Sequence, residues 1–510
     1  MSNPPSVFIV GAGPGDPGLI TVRGLRQLEA ADVVVYDHQV HPRLLRSARP
    51  DAEKIDVGPA APRPLDQDAI SLLLVEKARE GKRVVRLKWG DPFVFDSGGK
   101  EALFLHEHQV PFEVIPGVPA TIATPSYAGI PITYPGAGDV ITLIRGFEGG
   151  GDDAPKVDWQ RLAGVDGTVV CYAGAKQIAS IAAALLSHGR PAEESAAVIY
   201  SGTTAAQETI VAPLAEIASR AHPNEAGMFV VGRVAGLREH LRWFDDRPLF
   251  GRRIVVTRSR EQAGELVDLL EERGAEAIQA PTIRIAPPED VDALDRACAG
   301  AGQYDWIVFT SANGVDAFMG RLVSAFDIRE LKGVRVCAVG TSTAERIERY
   351  GIRVDLTPDE SRAERIVDAL AAAGAIAEAK FLLPRADIAR ELLPDQLREL
   401  GGDVSEVVAY RTLVAGGERD TDHDVYRMLL DRQIDAVTFT SASTVKNFAK
   451  MYGEDQAADL LSTTVVASIG PVTAEAAQQL GIQTTVMPSK YTVEDLVDAL
   501  VEHFGANVTA

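Results

Sequence analysis

Short apolar runs alternate with longer stretches of helical spacing along the whole chain. The early runs are Val7–Val10, Val33–Tyr36, Val84–Leu87, Val140–Ile144, Thr168–Tyr172 and Met228–Val231. Strands separated by helix-length stretches predict an α/β protein with largely parallel sheets. The stretch Trp243–Gly251 reads as a linker, and a fresh strand starts at Arg253-Ile254-Val255-Val256-Thr257. This divides the chain into a first domain over 1–245, a linker over 246–252 and a second domain over 253–510.

The second domain repeats itself. Phe309–Val315 returns as Phe439–Val445, Val339–Glu345 as Ile469–Glu475, and Tyr350–Ile352 as Leu480–Ile482, each 130 residues further on. The strand-turn openings Ile254–Arg258 and Phe381–Arg385 repeat at a spacing of 127. A constant offset over several motifs predicts two similar α/β lobes with a ligand cleft between them.

The chain has 510 residues and a formal net charge of −21, and neither half is basic on its own. That argues against a nucleic-acid partner. A polyanionic ligand would need a local pocket of Arg and Lys working against the global field. The three cysteines, Cys171, Cys298 and Cys337, are far apart and have no metal-ligand spacing. An odd, sparse count suits a reducing compartment. The start Met1–Ser6 has no basic region, and no segment reaches the roughly 18 apolar residues of a membrane span. The expectation is a cytoplasmic enzyme with no membrane partner and no metal.

In each repeat a Thr-Ser pair, Thr310-Ser311 and Thr440-Ser441, follows an apolar strand and precedes a helix. The Gly340 and Gly470 turns, with Thr341, Ser342 and Thr473 just beyond them, do the same. Hydroxyls and backbone N–H groups at such turns either cap the helix or hold an anion. Capping is the simpler reading of any one turn. Four turns in two matched lobes, all at strand C-terminal ends, favour a carboxylate-binding cleft.

Thr310–Val315, Ala338–Ala344, Leu383-Pro384-Arg385 and Val408–Thr412 resemble uroporphyrinogen-III synthase over the whole of 251–510. The resemblance implies two flavodoxin-like lobes joined by two crossing linkers, lobe one over 253–285 plus 412–510 and lobe two over 286–410. It implies that linear hydroxymethylbilane is cyclised to uroporphyrinogen III with inversion of ring D, without metal or cofactor. It puts proton donation on Tyr410, in a linker at the cleft mouth; a tyrosine packed at a strand end is the alternative. Substrate carboxylates would meet Thr310, Ser311, Thr341, Ser342, Ser441 and Thr473, with Arg258 and Arg385 as bidentate partners.

In the first half Val7–Val10 runs into Gly11-Ala12-Gly13-Pro14-Gly15-Asp16. This breaks the dinucleotide fingerprint, because its sixth position is Asp16 and Pro14 stiffens the loop. Asp37 nevertheless falls where a ribose-binding acid would. The set Gly11–Thr21, Val34–Asp37, Gly81–Lys88, Gly90–Phe95, Val114–Val118, Tyr127–Thr133 and Val231–Val234 resembles uroporphyrinogen-III C-methyltransferase over about 6–245. The resemblance implies two α/β lobes holding S-adenosylmethionine in a trough between them, uroporphyrinogen III as substrate, precorrin-2 as product, and room for a homodimer through this half. It makes Asp37 the proton acceptor and places Pro14, Gly90, Asp91, Val94, Ala120 and Gly202 against the cofactor.

Several positions depart from that pattern. The family's Val-Gly-Lys-Arg is Val57-Gly58-Pro59-Ala60, so the proton-donating Lys is Pro59. Gly-Gly-Asp-Pro is Trp89-Gly90-Asp91-Pro92, and Gly-Arg-Gly-Gly is Asp96-Ser97-Gly98-Gly99. Pro119 stands for a Thr, Thr133-Tyr134-Pro135 for Thr-His-Arg, and Ala173 for the Met of Tyr-Met-Gly. Two expectations follow: a bifunctional enzyme of tetrapyrrole biosynthesis, or an active synthase joined to a degenerate methyltransferase-like binding or scaffold module.

Overall fold

The computed structural model describes residues 6–58, 61, 64–146, 154–358, 363–387, 392–414, 424–454 and 456–506. Pro59 and Ala60 lie outside them, as does the side chain of Ser342. The chain forms two compact units, one of 1–254 with 268–277 and 500–510, the other of 255–267 with 278–499. Among the described residues no helix is long and apolar enough to cross a membrane.

The first unit holds two five-stranded sheets. Strands β1 (Val7–Gly11), β2 (Val33–Tyr36), β3 (Glu53–Asp56), β4 (Val84–Lys88) and β5 (Phe112–Ile115) lie in the order β3-β2-β4-β1-β5. All of their pairings are parallel. Strands β1 and β4 are buried along their whole length, as expected for the middle of a parallel sheet. The chain leaves β1 towards β2 on one side and β4 towards β5 on the other. A crevice therefore opens at the carboxyl ends of β1 and β4, where an open α/β sheet binds its ligands.

The second sheet corrects the expectation of parallel strands. Strands β6 (Ile141–Arg145), β7 (Thr168–Ala173), β8 (Ser195–Tyr200), β9 (Glu208–Pro213) and β10 (Gly227–Val231) lie in the order β6-β7-β10-β8-β9. Only β6 and β7 are parallel; β7–β10, β10–β8 and β8–β9 are antiparallel. The connection from β8 to β9 is too short for a parallel crossover. Buried antiparallel strands such as β10 read in sequence as the same apolar run. The stretch Trp243–Gly251, read as a linker, is packed. Phe244 and Leu249 are buried, Trp243 and Phe244 meet Tyr127 at ring distances of 5.2 and 4.8 Å, and Arg247 lies over both aromatic rings.

The remaining strands are β11 (Arg253–Val256), β12 (Glu276–Gln279), β13 (Ile283–Ala286), β14 (Trp306–Phe309), β15 (Arg335–Ala338), β16 (Lys380–Ala386), β17 (Asp403–Val414), β18 (Ala436–Phe439) and β19 (Val465–Ser468). They form a four-stranded sheet, β12-β11-β18-β19, and a five-stranded sheet, β13-β17-β16-β14-β15. These are the two lobes. The chain crosses between them along β13 and β17, which pair antiparallel from Ile283↔Val414 to Ala286↔Arg411.

The 130-residue repeat is structural. Strands β14 and β15 match β18 and β19, and the helices Ala312–Ala325 and Thr341–Glu348 start 130 residues before Ala442–Tyr452 and Pro471–Gln479. The isolated bridges Cys337↔Leu356 and Ala467↔Val486 keep the offset. So do the core aromatic pairs Phe309–Phe318 and Phe439–Phe448, each edge to face.

Candidate active sites

Three loops meet at the carboxyl ends of β1, β4 and β5, and glycine lets them meet. A Cβ on Gly11 would stand 2.5 Å from the Gly117 backbone, and one on Gly117 would stand 2.2 Å from the Gly90 carbonyl oxygen. Gly13 and Gly90, at φ 81° and 69°, join in a two-residue bridge that a side chain would strain. Beside them is a cavity of about 240 Å³ lined by Asp37, Gly90, Asp91, Val94 and Ala120, with Trp89 and Tyr172 among its walls. Asp91 spends both carboxylate oxygens on backbone, accepting from Gly117 N at 3.0 Å and Phe93 N at 2.8 Å.

Pro14 and Gly202 do not line this cavity. The Pro14 carbonyl accepts the Trp89 indole N–H at 3.0 Å. Gly202 packs on Thr124, where a Cβ would come within 2.3 Å of the side chain. Its neighbour Thr203, in a left-handed backbone at φ 69°, accepts the Asp16 N–H at 3.1 Å. Of the departures from the family pattern, Trp89, Asp96 and Pro119 line the cavity, Ser97 accepts from Lys88 Nζ, and Ala173 is buried.

Under the cavity lies a buried charge network. Arg86 and Lys88 on β4 are 2% and 1% exposed, and Glu101, on the helix Gly98–Glu107, is fully buried. Glu101 Oε1 accepts from Arg86 Nε and Lys88 Nζ, both at 3.2 Å. Arg86 also bonds Asp37, whose second oxygen accepts the Trp89 backbone N–H at 3.0 Å. Lys88 reaches Asp96 at 3.0 Å. Burial pushes the Asp37 pKa upward, but the charges of Arg86 and Lys88 and the hydrogen bonds from Arg86 and Trp89 outweigh it and hold the carboxyl below its ordinary range. Burial prevails at Asp96, whose pKa is raised despite Lys88. Two carboxyls on one cavity wall thus titrate apart, an arrangement suited to proton traffic.

In the second unit Tyr410 lies inside β17 and is 7% exposed. This corrects its expected place in a linker at the cleft mouth: the crossing segment is a strand, and the ring packs in the core of its lobe. Its hydroxyl meets Ser311 Oγ at 3.0 Å. Ser311 caps the helix Ala312–Ala325, accepting the Gly314 N–H at 3.0 Å. Burial raises the Tyr410 pKa, opposed by hydrogen bonds from Ser311 and Asn313, so the phenol holds its proton at neutral pH.

Thr310 leads directly into Ser311 and is half-buried. Ser441 caps the matching helix Ala442–Tyr452, accepting from Thr444 N at 3.3 Å. Thr341 is exposed at the start of its helix, and Thr473 is buried. Arg258, half-buried beyond β11, meets Gln262 at 3.4 Å; desolvation lowers its pKa and Glu265 opposes this. Arg385 lies on the strand paired with the one that carries Tyr410, and is buried and bonded to Glu406.

Residues 6–218 match the family of tetrapyrrole (corrin/porphyrin) methylases, and residues 264–498 match uroporphyrinogen-III synthase HemD. The porphyrin biosynthesis protein HemD of Ruminiclostridium josui is 36% identical over 510 residues, 98% of this chain and 99% of that protein. The chain belongs to this HemD family of porphyrin biosynthesis proteins. A uroporphyrinogen-III C-methyltransferase of Bacillus subtilis is 34% identical over 366 residues, 71% of the HemD-type chain and 75% of the relative. A siroheme synthase of Neisseria meningitidis serogroup B is 46% identical over 244 residues, 47% of the chain and 50% of that protein.

The methylase region's cavity fits a sulfonium cofactor in its chemistry. Asp37, held ionised, would set a carboxylate near a sulfonium's charge, and Trp89 and Tyr172 line the cavity with aromatic rings. Its volume is tight beside the roughly 300–1,000 Å³ of small-molecule sites. Sequence reasoning missed Arg86, Lys88, Asp96 and Glu101 here. The signal for the first two was charge inside an apolar strand, Val84-Val85-Arg86-Leu87-Lys88, since such residues are buried only when paired.

Proposed function

We propose that the chain catalyses two consecutive steps: closure of hydroxymethylbilane to uroporphyrinogen III with inversion of ring D, then methylation of that product to precorrin-2. The observation that carries the reading is the buried, protonated Tyr410 hydroxyl 3.0 Å from Ser311 at a helix N-terminus, within the second of two duplicated lobes. Tyr410 protonates the departing hydroxyl, so that the C–O bond breaks to release water and leave a carbocation on the bilane. The lobes hold the chain so that ring D is attacked through a spiro arrangement and re-forms inverted. Thr310, Ser311, Thr341, Ser441, Thr473 and Arg258 supply the carboxylate partners.

In the methylase region Asp37, Gly90, Asp91, Val94 and Ala120 would hold S-adenosylmethionine, which when bound supplies a methyl group on a good leaving sulfur. Asp37, kept ionised by Arg86 and Lys88, takes the proton that the methylated ring gives up. The boundaries 1–245, 246–252 and 253–510 are the division this reading adopts. The test is the full-length protein fed hydroxymethylbilane with and without S-adenosylmethionine. Type III isomer without cofactor and a methylated product with it support the reading; only the type I isomer, as spontaneous closure gives, overturns the synthase half.

A second reading of the first half has its own support. A cavity of about 240 Å³, with the Trp89 indole tied to Pro14, suits a binding or scaffold module whose methyl transfer is degenerate. Titration calorimetry with S-adenosylmethionine separates the two: no binding by the natural chain, with binding restored in Trp89→Gly, favours the module.

A further inference from the structure

The inference rests on the methyltransferase reading above. We propose that Asp96 is the residue by which the cavity recognises positive charge on its cofactor: its carboxyl gives up a proton when a sulfonium binds and keeps that proton when the neutral thioether binds instead.

A chain of ion pairs runs beneath the cavity and reaches its wall at both ends. Asp37 bonds Arg86, Arg86 bonds Glu101 at 3.2 Å, Glu101 bonds Lys88 at 3.2 Å, and Lys88 reaches Asp96 at 3.0 Å. Asp37 and Asp96 line the cavity, while Arg86, Lys88 and Glu101 between them are buried. Three carboxyls thus share two cations. With all five groups charged, one negative charge stands uncompensated against a buried network, which is costly. A single proton removes the excess in the free protein, and a single bound cation removes it in the complex. The other charged groups near Asp96 leave this count unchanged. Asp91 and Arg145 line the cavity, one of each sign, and Lys100 on the helix Gly98–Glu107 is exposed.

The hydrogen bonds distinguish the carboxyl that carries the proton. Glu101 faces both cations. Asp37 has a donor on each oxygen, Arg86 on one and the Trp89 backbone N–H on the other. Asp96 gathers Lys88 and Ser97 on Oδ1 alone, and among the described residues its Oδ2 has no partner. Oδ2 is therefore the oxygen left to hold a hydrogen. Burial, which raises the Asp96 pKa despite Lys88, acts in the same direction. When a cation binds, the Oδ2–H bond breaks, its electron pair stays on the carboxylate, and the proton passes to solvent.

S-adenosylmethionine and S-adenosylhomocysteine carry the same adenosine, amino and carboxylate groups and differ only in the methyl and the charge at sulfur. As pH falls, protons hold Asp96 neutral and compete with the sulfonium alone. The ratio of the two Kd values, methionine form over homocysteine form, should therefore rise by up to about tenfold per pH unit, the limit for one exchanged proton.

The test is titration calorimetry of the full chain with each ligand over a pH series, in two buffers of different ionisation heat so that released protons are counted. S-adenosylmethionine should release up to about one proton more than S-adenosylhomocysteine. In Asp96→Asn, which keeps an acceptor for Lys88 and Ser97, the ratio should be flat with pH and the proton difference gone. Equal pH slopes for the two ligands in the natural chain, or a difference that survives in Asp96→Asn, overturns the proposal. If Asp96→Asn fails to fold, Asp96→Ser, which also cannot ionise, is read the same way. A natural chain that binds neither ligand fails the methyltransferase reading; binding of both with no proton difference fails only this inference.

Discussion

At the scale of single residues, the two candidate catalytic groups show opposite ways of fixing a proton. Asp37 is held ionised by buried cations, while Tyr410 is held neutral by burial. Tyr410→Phe keeps the ring in its core and removes one donor, so turnover should fall roughly 10- to 1000-fold with folding retained. Product chromatography and circular dichroism check both parts; an unchanged rate leaves Tyr410 as packing alone. His41 makes a different prediction. Its Nδ1 accepts the Arg43 N–H at 3.2 Å, capping the helix Pro42–Ser47, which requires a neutral ring. Burial, with Arg46 and Arg43, takes its pKa from 6.5 to about 4. The unfolded chain takes a proton as pH falls through 6.5, and the folded chain refuses it until about 4. The contribution of His41 is therefore whole above 6.5 and lost as pH falls through that window. Urea midpoints should decline more steeply there in the natural chain than in His41→Asn, which retains a capping acceptor; equal slopes would count against it. Asp37 and Tyr410 were legible because each sits in a short motif. The partners that set their charge were not. Glu101 lies well beyond Asp37 in sequence, and only the fold brings them to one arginine.

At the scale of elements, the repeat made β14, β15, β18, β19 and their following helices legible together, since each strand-turn-helix supported its counterpart. The second sheet of the methylase region was illegible in its direction, because burial on both faces gives parallel and antiparallel strands the same composition. The two Thr-Ser turns are helix starts capped by Ser311 and Ser441, whereas the helices after Gly340 and Gly470 have no side-chain cap; the two serines differ in what else they touch. Ser441 serves its own helix and Ser443, whereas Ser311 also holds Tyr410. Ser441→Ala should cost about 1 kcal/mol of stability, the usual worth of a cap. Ser311→Ala should cost a similar amount and lower turnover besides. Urea unfolding and the isomer assay read the two effects separately, and an equal drop in turnover for both would undo the distinction.

At the scale of the whole molecule, the two regions should answer to different ligands. S-adenosylhomocysteine should slow amide exchange around Asp37, Arg86–Asp96 and Ala120, by up to about 100-fold at a ligand concentration 100 times Kd, and leave Arg258, Ser311 and Tyr410 unchanged. Uroporphyrinogen III should slow exchange in both sets, as product of one site and substrate of the other. Mass spectrometry of peptic fragments maps this, and protection confined to one set would break the two-step reading. The sheet β12-β11-β18-β19 has one further consequence. Its first two strands and its last two are separated in the chain by about 150 residues, within which the other lobe is complete. On the ribosome, β11 emerges with an apolar edge that has no mate until β18 is made. At about 5–20 residues per second that wait lasts on the order of ten seconds or more, so the nascent lobe is a natural client for a chaperone.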